Sequence, residues 1–255
     1  MSALMSIKVG GTIQLFTDGA SYEPDGTIVS FVRKVLVGKK TAVAIGIRGF
    51  GRLALDAACN LVNTADEVGP EAFLVHLENI AGQLQEISSS LPRESQFQYM
   101  IALGQPGKGV RHLGLHCVPE FSAMPYCQLV ELGDLTASGS HFTAAELFQR
   151  GILPARGDPT QWARTCGLQI MEMMRSRPAE RLPGYEGGHD YVIGGHVDLA
   201  TVTERRATVQ RIRVWPDKVG EKIDPAARSN VVAFPQNRRE RRRSAGNIKA
   251  TQKRA

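Results

Sequence analysis

The sequence lacks the features of a membrane protein or a secreted one. It contains no apolar run near the roughly 18–20 residues that a bilayer-spanning helix needs. Residues 1–10 lack a charged segment followed by an apolar one, so we predict no secretory signal. Cys59, Cys117, Cys127 and Cys166 form no CxxC pair and no dense disulfide framework, which is typical of proteins in a reducing cytosol. We therefore expect a cytoplasmic protein that makes no contact with a membrane.

Net positive charge is confined to the C-terminal end. The net charge is +6, but residues 229–255 contain eight Lys or Arg and one acidic residue, Glu240, so residues 1–228 are close to neutral. Because this end has too few apolar residues to bury a core, we predict a folded domain, 1–226, and a basic, disordered tail, 227–255. Either the tail only solubilises the protein, or its arginines contact nucleic acid or another anionic surface. No aromatic residue lies in this cluster to support base stacking: Arg238, Arg239, Arg241, Arg242 and Arg243.

Hydrophobic residues recur with strand and helix periods in alternating blocks. Turn signals at Gly10-Gly11 and Gly38 separate the first strands, which indicates antiparallel hairpins. Residues 18–26, with two Asp-Gly pairs, predict a loop. The predicted strands are 4–9, 12–17, 27–37, 41–47, 96–103, 111–118, 128–131, 191–203 and 208–215. The predicted helices are 53–62, 70–87, 143–150 and 160–175.

The order of these elements predicts the fold class. Strands come first, and two helices, more strands, two further helices and two final strands follow. Helices that are segregated from antiparallel strands indicate an α+β protein in which helices cover the outer faces of two stacked sheets. We therefore predict a four-layer αββα sandwich. We find no internal repeat in the sequence.

Three polar residues in the opening strands are evenly spaced. Ser2 precedes Asp18 by sixteen residues, and Asp18 precedes Lys34 by sixteen. With the later segments Ala137-Ser138-Gly139-Ser140 and Asp190–Gly195, this spacing resembles the proteasome β subunit and its bacterial relatives. These proteins belong to the N-terminal-nucleophile (Ntn) hydrolases, whose nucleophile is the first residue of the mature chain. Removal of Met1, which a small second residue permits, would make Ser2 that residue.

The resemblance implies an amide or peptide hydrolase that uses neither cofactor nor metal. A serine hydroxyl is a poor nucleophile until a base takes its proton. An α-amino group, with a pKa of about 7.7–8.0, can be that base near neutral pH. Ser2 would supply both groups, Lys34 would hold positive charge beside the hydroxyl, and Asp18 would pair with Lys34. By the same resemblance, a backbone N–H near Gly49 would bind the oxyanion.

Other positions in the motifs are less favourable to catalysis. The resemblance implies that Ser138 and Asp190 orient the terminal amine. Proteasome-type peptidases, however, have threonine at the first position, and Ile193 replaces a serine of the family. A second hypothesis is therefore a catalytically inactive structural or assembly subunit, of the proteasome-like kind found among phage or prophage genes. Family members commonly stack into rings, so the resemblance also implies self-association into homo-oligomers.

Three further signals favour other kinds of site. Ile45–Ala54 is similar to a dinucleotide-binding fingerprint between a strand and a helix, but hairpin strands precede it and no second βαβ unit follows. His112 and His116 lie four residues apart on a strand, about 13 Å, which is too far to share a metal ion. His189-Asp190 and His196-Asp198 leave Ser-His-Asp hydrolysis open, although the sequence has no GxSxG elbow.

Overall fold

The protein, described in a computed structural model, is an α+β sandwich of two antiparallel sheets with helices on the outside, as the sequence predicts. The structure describes residues 2–23, 25–49, 51–87, 96–118, 125–178 and 191–227. Asp190 and the arginine cluster of the tail lie outside these residues. Within them, no helix is long and apolar enough to cross a membrane.

Twelve strands occur in the described residues. In chain order they are β1 (Leu4–Val9), β2 (Thr12–Asp18), β3 (Ala20–Tyr22), β4 (Ile28–Phe31), β5 (Val35–Val37), β6 (Val43–Gly49), β7 (Phe97–Gln105), β8 (Gly109–His116), β9 (Val130–Glu131), β10 (Leu135–Ser138), β11 (His196–Val202) and β12 (Ala207–Val214). The first sheet has the order β10-β1-β2-β11-β12, and the second has the order β5-β6-β7-β8-β9. Strands β3 and β4 form a separate hairpin.

The helices lie in two groups, one on each sheet. They are α1 (Gly51–Val68), α2 (Pro70–Ile87), α3 (Ala144–Gln149), α4 (Pro159–Trp162) and α5 (Leu168–Arg175), with a π-helical turn, Ala163–Gly167, between α4 and α5. Helix α2 buries Phe73, Leu77 and Ala81, one residue per turn, because this spacing places them on one face. Helices α1 and α2 cover the second sheet, and the later helices cover the first.

Three hydrophobic clusters separate the four layers. Leu4, Leu15, Ala44 and Met100 belong to the cluster between the two sheets. The other two clusters lie between each sheet and its helices. Because side chains alternate along a strand, each central strand supplies one row to the inner cluster and one row to an outer cluster. This arrangement explains why strand β2 is buried along its whole length.

The sequence prediction of one strand over 27–37 is wrong. Strand β4 pairs with β3 in the hairpin, whereas β5 pairs with β6 in the second sheet. The chain leaves the ladder between them, at residues 32–34, and this break directs the Lys34 side chain into the interior. The predicted loop over 18–26 is also partly wrong, because β3 forms within it.

Two later elements begin or continue differently from the prediction. The helix predicted over 160–175 contains the π-helical turn, which sets Gly167 against Phe16; a Cβ at Gly167 would lie 2.4 Å from the ring. The strand predicted over 191–203 starts only at His196, because Gly195 adopts a positive φ of 77° and turns the chain. This turn approaches the polar residues of the first two strands.

Candidate active site

Ser2, Asp18 and Lys34 meet at one end of the sandwich. Ser2 lies two residues before the start of β1, Asp18 ends the neighbouring strand β2, and Lys34 lies just before β5. Lys34 Nζ lies 2.8 Å from Ser2 Oγ and 3.0 and 3.1 Å from the two carboxylate oxygens of Asp18. All three residues are buried. The two sixteen-residue intervals of the sequence thus correspond to one cluster of side chains.

The Asp18 carboxylate is surrounded by backbone donors. Its Oδ1 accepts a hydrogen bond from Ala3 N at 3.0 Å, and its Oδ2 accepts from Ala20 N and Gly194 N, both at 3.3 Å. A buried carboxylate is costly unless it is paired and hydrogen-bonded. Here three N–H groups and one ammonium group meet that requirement, and they hold Asp18 in one position beside Lys34.

Lys34 has an acceptor for each of its three protons. Besides Ser2 and Asp18, its Nζ donates to Ala20 O at 2.5 Å. A lysine ammonium is a donor of three hydrogen bonds and has no acceptor, so this geometry fits the charged form, which donates to Ser2 Oγ. Burial lowers the pKa of Lys34 and the charge of Arg48 lowers it further, whereas Asp18 raises it. The net effect is a pKa below the usual value of lysine. The acceptors around Nζ nevertheless suit the ammonium form, which would place positive charge beside Ser2 Oγ.

Gly19 lets Asp18 reach this position. A Cβ at Gly19 would lie 2.1 Å from the ring of His196, so only glycine fits there. The ring is held by Asp198, at 3.2 Å, and by Arg211, at 2.9 Å. The His196-Asp198 pair, which the sequence leaves open as part of a hydrolytic triad, thus supports the backbone beside Asp18.

Gly49 and Ser138, two further predicted site residues, each lie at the end of a strand. Gly49 ends β6 directly after Arg48, whose charge affects Lys34. Ser138 ends β10 and pairs with Leu4 at the start of β1, and Leu4 is two residues after Ser2 in the sequence. The next residue, Gly139, packs on the Ser2 backbone, since a Cβ there would lie 2.9 Å from Ser2 O. The remaining predicted residue, Asp190, lies outside the described residues.

Sequence reasoning missed a polar row on the second sheet. Arg48, Gln98 and His116 lie opposite one another across β6, β7 and β8, and all three are buried. Arg48 Nη1 lies 3.4 Å from Gln98 Oε1. Their neighbours Tyr99 and Ile47 face the outer helices, so this row faces the space between the sheets. Polar residues at alternating positions of otherwise apolar strands are the signal that could have identified it.

The competing kinds of site find less support. Strand β6 pairs antiparallel with both of its neighbours, whereas a dinucleotide fold needs parallel strands joined by a helix. His112 is bound to Ser6, with 2.6 Å between Nε2 and Oγ, and His116 packs edge-on against Tyr126. In the part of the chain that the structure describes, no group of three or more His, Cys, Asp or Glu is arranged to hold a metal ion.

Comparison with known proteins identifies the fold. No protein-family model matches the sequence, and no curated protein matches it. Among solved structures, the chain is similar to Anbu (ancestral beta-subunit) from Yersinia bercovieri, with a TM-score of 0.58 and 11% sequence identity. The match covers 99% of this chain and 97% of that chain. At this identity the likeness concerns the fold alone, which is the α+β sandwich described above.

Proposed function

We propose that the protein is an amide or peptide hydrolase of the Ntn type, with Ser2 as the nucleophile after cleavage of the Met1–Ser2 bond. One observation carries the proposal: Lys34 Nζ lies 2.8 Å from Ser2 Oγ and is itself paired with buried Asp18. A serine without a catalytic role is usually exposed on the surface, whereas Ser2 is buried against an ammonium group. The proteasome-like fold is consistent with this chemistry but does not require it.

In the first half of the reaction the substrate acylates Ser2. The neutral α-amino group of Ser2 takes the hydroxyl proton as Oγ attacks the carbonyl carbon of the amide. The Lys34 ammonium stabilises the charge that develops on Oγ. A backbone N–H near Gly49 would bind the oxyanion, and such a donor commonly lowers the barrier by about 3 kcal/mol. The C–N bond then breaks, the protonated amine transfers its proton to the leaving nitrogen, and an ester remains on Ser2.

In the second half water hydrolyses this ester. The α-amino group takes a proton from water as the water oxygen attacks the ester carbonyl carbon. The C–Oγ bond breaks, Oγ takes the proton back, and the carboxylic acid product leaves. Since the base must be neutral, we propose that the rate rises with pH as the α-ammonium group ionises, around its usual pKa of about 7.7–8.0.

The experiment combines intact-mass measurement with covalent labelling. Mass spectrometry of the purified full chain should show loss of Met1 and an unmodified amine on Ser2. A fluorophosphonate, which reacts with activated hydroxyls, should then add once, at Ser2. The variant Ser2→Ala should not react, and the matched control Ser30→Ala, on the β3–β4 hairpin, should react like the wild type. A retained Met1 or an acetylated Ser2 would refute the proposal.

A second candidate is a structural or assembly subunit that has the fold without the chemistry. The observation that favours it is the environment of Ile193, whose side chain is buried in the hydrophobic cluster under the later helices. No hydroxyl is therefore available at this position beside Gly194, which contacts Asp18. A free Ser2 amine together with complete resistance to the fluorophosphonate would favour this candidate over the hydrolase.

We further propose that the protein is cytoplasmic and self-associates into rings or other homo-oligomers. All four cysteines are free, as expected in a reducing compartment. On the outer helices Leu53, Val68, Val75 and Ile87 are exposed apolar residues that a neighbouring copy could cover. Mass photometry of the full chain should show one oligomer of defined size, and a monomer at all concentrations would contradict this part of the proposal.

A further inference from the structure

Arg175 and Asp217 form a buried ion pair behind the candidate active site. Arg175, at the end of α5, donates from Nη1 to Asp217 Oδ2 at 2.8 Å and from Nη2 to Asp217 Oδ1 at 2.7 Å. Their side chains are 1% and 2% exposed. Taking two charges out of water is costly, and well-packed apolar residues in the same place are often as stable or more so. Such a pair therefore contributes little to stability, and its main effect is to fix the positions of the groups it contacts.

Of three further hydrogen bonds of this pair, one goes from Arg175 Nη2 to Asp224 O, and the other two go to one short turn, Ile193–Gly195. Arg175 Nη1 also donates to Ile193 O at 2.8 Å, and Asp217 Oδ2 also accepts from Gly195 N at 2.7 Å. The first and last residues of the turn are thus held by the two partners of one ion pair. Gly194, between them, packs so closely that a Cβ there would lie 2.7 Å from the Asp217 carboxylate.

The opposite side of the same turn contacts the candidate active site. Gly194 N donates to Asp18 Oδ2 at 3.3 Å, and Gly194 O accepts from Gly19 N and Ala20 N, both at 3.0 Å. Ala20 O is in turn an acceptor of Lys34 Nζ. Gly194 therefore contacts the carboxylate that pairs with Lys34 and the backbone N–H groups just before the Ala20 carbonyl, the other Lys34 acceptor. A shift of the turn would displace both partners of Lys34.

We propose that Arg175 and Asp217 are positioning residues, which lock the Ile193–Gly195 turn and thereby hold Asp18 and Lys34 at the distance that activates Ser2. Neither residue touches Ser2 or a substrate in this role. The inference rests on the proposed function for its effect on Ser2, but the locking of the turn is a separate physical statement. A purely structural ion pair would affect stability and leave the reactivity of a folded protein unchanged.

The test replaces the pair without leaving a charge buried alone. The double variant Arg175→Met with Asp217→Leu removes both charges and both contacts to the turn, and on general grounds it should stay folded. The matched control is Arg177→Met with Glu146→Leu, an ion pair between α3 and the segment that follows α5. Thermal unfolding of all three proteins establishes that each is folded before reactivity is compared. If the first double variant does not fold, the single variant Arg175→Lys, which keeps the charge but not the forked geometry, replaces it.

Two measurements then decide the inference. Amide hydrogen exchange of Gly194 should become at least tenfold faster in the Arg175/Asp217 variant and stay unchanged in the control. The rate of fluorophosphonate addition to Ser2 should fall at least tenfold in the same variant only. A folded variant with unchanged Gly194 exchange, or with an unchanged labelling rate, overturns the inference. If wild-type Ser2 does not react, the proposed hydrolase fails, and Gly194 exchange alone still decides whether the ion pair locks the turn.

Discussion

At the scale of single residues, burial determines what each polar group can do. Lys34 would ordinarily extend into solvent from a strand, yet here it is almost fully enclosed and its three protons have three acceptors. Burial favours loss of its charge, and only Asp18 and the neighbouring oxygens oppose that effect. The candidate site therefore depends on the pairing of two buried charges, each of which would be unstable alone.

His112 should make stability depend on pH. It lies between the sheets against Ser6, and burial lowers its pKa from 6.5 to about 4. Because the unfolded chain binds this proton more readily, the stability that neutral His112 contributes is fully present above pH 6.5 and is lost as pH falls towards 4. The loss should amount to about 3 kcal/mol at most. The charged groups near its ring are Lys8, Glu131 and Asp134.

Urea unfolding between pH 7 and pH 4 checks this prediction. The variant His112→Gln should lose less stability over this range than the wild type, because the residue that takes up a proton on unfolding is gone. The matched control is His76→Gln, at an exposed position of α2, which should follow the wild type. Equal pH dependence of the wild type and the His112 variant would contradict the assignment.

Gly19 should tolerate no side chain. The variant Gly19→Ala places a Cβ where the His196 ring lies, and that ring is held by Asp198 and Arg211. We expect a loss of about 1–3 kcal/mol in the free energy of unfolding, which is usual for overpacking. The control Gly82→Ala, in α2 with open space around it, should be neutral or stabilising by up to about 1 kcal/mol. Chemical unfolding of both variants gives the comparison, and a stable Gly19→Ala protein would show that the ring is free to move.

At the scale of secondary structure, local patterns predict helices better than the shortest strands. The helix predicted over 70–87 matches α2, because its apolar residues recur once per turn over five turns. The strand predicted over 27–37 fails, because alternation continues through a point at which the chain passes from one sheet to another. Period alone carries no information about which sheet receives a strand.

Helix α2 should be attached to the second sheet mainly through its buried face. Phe73 is fully buried there, whereas Val75, two residues later, is 56% exposed. The variant Phe73→Ala should lower the free energy of unfolding by about 3–5 kcal/mol, since it removes a buried ring and leaves a cavity. Gln83→Ala, at an exposed polar position of the same helix, should change it by less than about 0.5 kcal/mol. Equal effects in urea unfolding would mean that α2 buries a different face.

At the scale of the whole molecule, the net charge and the predicted folded domain lie in different parts of the chain. Basic and acidic residues nearly balance in residues 1–228, and the net positive charge lies beyond them. We propose that 1–226 folds by itself and that the tail is an independent anion-binding segment. The arginines that would make the contact are Arg238, Arg239, Arg241, Arg242 and Arg243.

Truncation tests this division. A chain that ends at Ala226 should unfold at the same temperature as the full chain, because the segment beyond it has too few apolar residues to contribute to a core. The full chain should bind a short DNA duplex of random sequence at low salt, and the affinity should fall steeply as salt rises. The truncated chain, and a full chain with the five arginines replaced by glutamine, should not bind. A lower unfolding temperature, or DNA binding that survives truncation, would contradict the division.

Much of this protein follows from its sequence alone. The αββα layering follows because hydrophobic periodicity is a local property. Side chains return to the same face every two residues along a strand and about every 3.6 residues along a helix. The two sixteen-residue intervals point to Ser2, Asp18 and Lys34 through the resemblance to a known family, and all three residues lie within the first 34 positions of the sequence. These residues could be proposed before any distance was known.

Tertiary structure alone decided which groups surround those three residues. Gly194 is 176 residues from the Asp18 carboxylate it contacts, and Asp217 is 42 residues from Arg175. Partners this far apart are brought together by the docking of whole layers, so no local period predicts them. The burial of Lys34, the packing of His196 on Gly19 and the locking of the Ile193–Gly195 turn all arise where separate layers meet. The sequence determines which chemical groups the chain carries, but the packing of the layers determines where those groups can act.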